Sequence, residues 1–175
     1  MYNTSSTYKE AVREAGRQFV PHLSITLEDG SRLTLGTGDI MQGGFTVEDG
    51  VSAPNSFQIG CACMRQLTVV LNNQTGKFAG KDFNGATLTA SVGLVLPDGV
   101  EENIPQGTFT VDEATDNGAT ITLTALDDMD KLDRLYTEST LQYPATLAQI
   151  LRDCCAVCGV ALQTQSFLND DYVVT

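Results

Sequence analysis

The sequence predicts a mainly β fold: an antiparallel β-barrel or sandwich with a short N-terminal helix and one or two C-terminal helices, α+β overall. Three observations predict it. Between Leu23 and Leu126, apolar and polar residues alternate in run after run, the two-residue period of half-buried strands. Turn-forming clusters separate those runs, among them Asp29-Gly30, Asn72-Asn73, Pro97-Asp98-Gly99 and Asp116-Asn117-Gly118. Sixteen glycines against five prolines, with no tryptophan, suit many short strands on tight turns.

The elements follow in order. Thr7 with Glu10 three residues on is a capping-box pattern, so a helix is expected from about Tyr8 to Gly16, with Tyr8, Val12 and Ala15 as a thin apolar side. Leu23, Ile25 and Leu27, the turn at Asp29-Gly30, and Leu33 and Leu35 make a hairpin. Further strands are expected at Phe45 to Val47, Leu67 to Leu71, Ala86 to Leu96, Ile104 to Val111 and Ala119 to Leu126. The run from Ala86 is the longest, and Gly93, on its opposite face, marks a bulge or a bend.

Beyond Leu126 the period lengthens. Leu126, Met129, Leu132 and Leu135 or Tyr136 predict a helix capped by Asp127 or Asp128. Tyr143-Pro144 interrupts it, and Leu147, Ile150, Leu151, Cys154 and Cys158 predict a second helix over residues 145–158, stopped by Gly159. A strand is expected at Val160 to Leu162. The residues Asp171 to Thr175 read as a strand cut short, one that continues into a longer protein or pairs with another chain. The expected organisation is an arm over 1–20, a β-barrel domain over 21–140, and the start of a second domain, helix then strand, over 141–175.

The chemistry is read from charge and from single residues. The formal charge is −12, and the stretch from Asp82 to Glu138 carries twelve acidic residues against Lys131 and Arg134. Such a surface repels phosphate backbones and anionic headgroups, so neither nucleic acid nor membrane is an expected partner. Basic residues gather early instead: Lys9, Arg13 and Arg17 recur every four residues, along one face if the segment is helical. No apolar run approaches a membrane span, and the polar start lacks the plan of a signal peptide, so synthesis in a cytosol is expected.

No catalytic motif emerges. His22, the one histidine, adjoins Pro21 without a nucleophile motif and reads as a strand-edge side chain. Glu101-Glu102 read as exposed, and the acidic group Asp127, Asp128, Asp130 and Asp133 lacks the spacing of a calcium loop. Cys61, Cys63, Cys155 and Cys158 offer four thiolates to zinc, but Cys155 and Cys158 fall in a helical pattern, which favours small buried thiols. No cofactor and no enzyme activity are expected.

Several segments, in chain order, resemble the N-terminal region of phage or prophage tail proteins of the baseplate-hub type. They are Gly38-Asp39-Ile40, Phe57-Gln58-Ile59-Gly60, Asp82-Phe83-Asn84-Gly85-Ala86, Gly107 to Asp112, Ala125 to Leu132, and Tyr143-Pro144-Ala145-Thr146 ahead of the last helix. The resemblance implies a tail-tip component whose β-barrel domains form a ring, usually a trimer, within a virion assembled in a bacterial host's cytoplasm. Its partners would be other tail and baseplate proteins, and no catalytic residues carry over. The face of Lys9, Arg13 and Arg17 is the candidate interface, docking on an acidic patch of an adjacent subunit. The alternative is a carbohydrate-binding or adhesin-like β-sandwich, which would present exposed aromatics. Against it, Trp is absent and the Tyr and Phe residues mostly fall within expected core or helix stretches.

Overall fold

A computed structural model describes residues 2–49, 64–133, 135–162 and 166–175. The chain divides into two compact units, Met1–Asp127 and Asp128–Thr175.

In the first unit a short helix α1 (Ser6–Ala11) precedes seven strands: β1 (Phe19–Thr26), β2 (Arg32–Leu35), β3 (Ile40–Asp49), β4 (Arg65–Asn72), β5 (Thr87–Val95), β6 (Glu101–Asp116) and β7 (Thr120–Leu126). They form one antiparallel sheet in the order β2-β1-β5-β6-β7-β4-β3. The alternation in the sequence survives as alternating burial: on β4 Leu67, Val69 and Leu71 are inside, on β7 Ile121, Leu123 and Ala125. Residues from both ends of the strand order, Leu35 of β2 and Ile40 of β3 among them, share one core cluster, so the sheet curls around a single interior. Each fully buried Leu or Ile there contributes about 1.5–3 kcal/mol.

The sheet is curled without being a closed barrel, and it is not a sandwich of two sheets. The strands at the ends of the order, β2 and β3, do not pair with each other. The reason is local. β2 lasts only four residues, after which Gly36 and a 3₁₀ turn (Thr37–Asp39) carry the chain away before β3 begins. That turn is anchored from the opposite side: the Asp39 carboxylate accepts from Lys77 Nζ at 2.6 Å and from the Gly36 N–H at 3.2 Å. The Lys77 ammonium holds the Asp39 carboxyl below the usual carboxylate range.

Lys77 belongs to the connection from β4 to β5, which also supplies two large core residues, Phe78 and Phe83, packed edge to face at 6.3 Å. A buried Asn73 fixes this connection. Its Oδ1 accepts the Phe78 N–H at 2.9 Å while its Nδ2 donates to the Gly118 carbonyl at 3.0 Å, so its polar atoms are satisfied inside.

The expected bend at Gly93 lies elsewhere. The register between β5 and β6 slips between Ala90 and Ser91, opposite Gly107 and Pro105, and Gly93 keeps regular pairing with Asn103. Both strand prolines sit where only one neighbour pairs with them. Pro21 of β1 and Pro105 of β6 each face β5 alone, as the missing N–H requires.

The first helix starts earlier and ends sooner than the capping box at Thr7 suggests. Ser5 is the cap, its Oγ accepting the Tyr8 N–H at 3.0 Å, and the helix stops at Ala11, its one buried residue. With so little surface to bury, the segment has no reason to continue as helix to Gly16.

In the second unit, helix α2 (Leu147–Val157) follows a two-residue strand β8 (Ala145–Thr146), and the Tyr143–Pro144 peptide is cis. Thr146 caps α2 in a full capping box with Gln149, and Gly159 follows its end with φ 68°. The helix expected after Leu126 is absent. Among its described residues, that stretch forms two 3₁₀ turns, Asp130–Leu132 and Tyr136–Glu138, and Leu135 is 80% exposed. Aspartates that compete for backbone N–H groups, on a segment with little to bury, favour turns over a helix. No strand forms at Val160 to Leu162. The last strand, β9 (Val173–Val174), pairs with β8 of the same chain, where pairing with another chain was one of the two expectations.

Candidate assembly interface

The basic residues Lys9, Arg13 and Arg17 do not share a helix face. Lys9 lies in α1, whereas Arg13 and Arg17 follow its end. The arm that carries them is clasped to its own sheet. Ser5 donates its N–H at 2.9 Å and its hydroxyl at 2.5 Å to the two oxygens of Glu102 on β6. These hydrogen bonds, with a smaller contribution from the Lys9 charge, hold the Glu102 carboxyl below its ordinary range. The basic arm therefore meets an acidic strand within one chain.

Glu101 next door has a second task. Its Oε1 contacts His22 Nε2, joining β6 to β1 across the intervening β5. Gly93 on β5 makes that span possible, because a Cβ there would occupy the space of the Glu101 carboxylate. Ser91 stands opposite His22 in the register, and His22 directs Nε2 to Glu101 instead. The sequence alone suggests that Glu101 and Glu102 are exposed, whereas both are half-buried and partnered. Gly93, already conspicuous in the longest strand, was the signal that could have revealed the pair.

Arg65, at the start of β4, joins three further features. Its Nη1 donates to the Gln106 carbonyl at 2.6 Å, its guanidinium lies 5.7 Å from the Phe109 ring centroid, and Nε is 3.4 Å from Asp49.

One cleft of this unit, about 540 Å³, is open and mostly apolar. Phe19, Pro21 and Val92 form one side and Ile40, Met41 and Phe45 the other. Between Ile40 and Phe45 the register with β4 jumps, and Gly44 lets this bulge approach Val70 closely, since a Cβ would lie 2.9 Å from both Met41 O and Val70 Cβ. A second cleft, lined by Glu28, Asp29, Lys81 and Asp82, is polar.

In the second unit, Tyr136 Oη and Ser139 Oγ both donate to Asp153 Oδ2, at 2.5 and 2.6 Å. The Ser139 hydroxyl, then that of Tyr136, lowers the Asp153 carboxyl, and the Asp153 hydrogen bond pushes the Tyr136 phenol up to about 12. Leu132, Leu135, Leu151 and the thiols Cys154, Cys155 and Cys158 line a hollow of about 250 Å³. All three cysteines are free, and burial pushes the Cys155 thiol up, which opposes formation of a ligand thiolate. Cys61 and Cys63, the other half of the four-thiolate set, lie outside the described residues, as does the fragment Phe57 to Gly60. Among the described residues no group of three or more His, Cys, Asp or Glu is placed to hold a metal ion, and no helix is long and apolar enough to cross a membrane.

The aromatics are more exposed than the sequence suggested. Tyr2, Tyr136, Tyr143 and Tyr172, with Phe19 and Phe167, all reach solvent, because the short 3₁₀ turns and loops that carry most of them bury no face.

No family model matches the chain, and no curated protein matches it. Solved structures do. One match is a chain of the structure titled "Virion of native gene transfer agent (GTA) particle", at 12% identity and a TM-score of 0.47, covering 81% of this chain and 50% of that one. This chain thus spans half the length of that virion chain.

Proposed function

We propose that the chain is a structural component of a phage or prophage tail tip, of the baseplate-hub type, that acts by protein-protein assembly as part of a homo-oligomer and catalyses no reaction. The observation that carries this reading is the open sheet. A seven-stranded sheet that curls around one core yet, among the described residues, leaves the outer edges of β2 and β3 without a partner strand exposes backbone donors and acceptors that another polypeptide can satisfy. The ordered resemblance to baseplate-hub proteins in the sequence supports the virion setting, and the exposed Arg13 and Arg17, beyond the clasped part of the arm, offer charges that can set register between subunits.

The test is co-sedimentation of the tagged chain with intact particles, together with the native mass of the free protein. Assembly into a ring predicts a multiple of 18.7 kDa. Reversing Lys9, Arg13 and Arg17 together is expected to lower that mass, and an unchanged mass at low and high salt removes these three residues from the interface. A carbohydrate-binding role is the second reading, favoured by the exposed tyrosines, and glycan-array binding by the isolated chain would support it.

A further inference from the structure

We infer that the apolar cleft beside β1 and β3 is a receptor groove for one extended strand of a partner protein, with apolar residues at alternate positions and a basic residue at one end. This rests on the reading of the chain as an assembly module and names where the partner enters. Three features define the occupant.

The first is backbone. β1 pairs with β2 only from Leu23 onward, so, among the described residues, positions 19–22 have β5 on one side and no strand on the other. β3, at the end of the strand order, likewise has no strand on its outer side among the described residues. Both strands contribute to one cleft, through Phe19 and Pro21 and through Ile40 to Phe45. A small apolar molecule would fill its volume but leave both rows of N–H and C=O groups to water, whereas an added strand pairs with them. Pro21 withholds one donor, which disfavours a long continuous ladder and suits a short insert. The four free residues of β1 match a segment of about 13 Å at about 3.3 Å per residue.

The second is the lining. Phe19 is 45% exposed although it lies on the face that Leu23 and Ile25 bury farther along the same strand. Val92 lies opposite Pro21 on β5, and Met41 and Phe45 remain half-buried across the gap. An inward-facing apolar row left partly wet is completed by side chains at every second position of an incoming strand.

The third is charge. The far end of β3 carries the exposed carboxylate of Glu48, beside Asp49, which already faces Arg65 Nε at 3.4 Å, on a chain of formal charge −12. A strand lying along β3 therefore gains from Lys or Arg at that end and is opposed by acidic residues.

The test uses the whole chain. A library of random twelve-residue linear peptides displayed on yeast is sorted against the immobilised protein, and amide hydrogen exchange is followed with the enriched peptides. The expected binders alternate apolar with other residues and end in Lys or Arg, slow exchange at residues 19–22 and 41–48, and bind Phe19→Arg at least about tenfold more weakly. Should Phe19→Arg fail to fold, Met41→Lys on the facing wall gives the same reading. Absence of enrichment, protection confined to other strands, or undiminished binding by the folded variants each overturns the groove. The virion reading fails separately. A Phe19→Arg chain that enters particles at the wild-type level removes the groove and leaves that reading standing, whereas peptide binding by a wild-type chain never found in particles does the opposite.

Discussion

In the unit Met1–Asp127, each of the seven strands places at least one apolar residue in the interior, and two phenylalanines from the β4–β5 connection join them. Among the described residues of Asp128–Thr175, only Ala145 and Cys155 are buried hydrophobics. The second unit is organised by polar devices instead: the Thr146–Gln149 capping box, the Asp153 carboxylate shared by Tyr136 and Ser139, and the two-residue pairing of β8 with β9. The contrast shows two ways of holding a backbone. Burial of apolar area is non-directional and adds up with each strand, while a cap or a shared carboxylate fixes one place and contributes little in water.

The comparison is broken most directly by core truncation. Leu123→Ala on β7, at 0% exposure, is expected to cost about 2–5 kcal/mol in urea unfolding of the first unit. Leu151→Ala on α2, 38% exposed, is expected to cost less than about 1 kcal/mol. Equal losses would mean that the second unit has a core of comparable weight.

A middle-sized effect is expected at the caps. Thr146→Ala removes the acceptor of the Gln149 N–H, and faster hydrogen exchange in the first turn of α2 should correspond to about 1 kcal/mol. Ser5→Ala should release the arm from Glu102, visible as faster exchange over residues 6–11, with melting of the sheet little changed.

Smaller again is the span over Gly93. Gly93→Ala displaces Glu101 from His22 and should cost about 1 kcal/mol or less, because both side chains are partly exposed, at 42% and 27%. The decisive measurement is the double variant. With Glu101→Gln already present, Gly93→Ala should add almost nothing, and full additivity would separate the glycine from the pair.

The smallest effects are in pH dependence and differ in sign between groups. Asp39 and Asp153 have lowered pKa values in the folded chain, so their stabilisation is present above the ordinary carboxylate value of 3.8 and is lost as pH falls through the lowered ones. Tyr136 is raised, so its contribution is present below its ordinary value of 10.0 and is lost as pH rises through about 12. An ultraviolet titration should show one tyrosine ionising late, and Tyr136→Phe or Asp153→Asn should abolish that late step.

Much of the sheet was legible because its signal is local. Leu67, Val69 and Leu71, or Ile121, Leu123 and Ala125, announce a strand and its inner face by spacing alone. The stretch after Leu126 misled for the converse reason: Met129, Leu132 and Leu135 have helical spacing, but spacing stabilises a helix only where a surface receives it. The pairs Ser5–Glu102 and His22–Glu101 were not legible, because their partners lie 97 and 79 residues apart and meet only through strand register.

By itself the sequence determined the two-residue period of the main strands, the turns between them, the stop of α2 at Gly159 and the acidic balance of the chain, all of which depend on residues close together along the backbone. The tertiary structure alone decided that β5 and β6 lie between β1 and β7, that β2 and β3 stay apart, and that a groove remains beside them. Strand order and closure depend on which distant edges meet, and that is set by connection lengths, bulges and the shape of a shared core, which no single window of residues encodes.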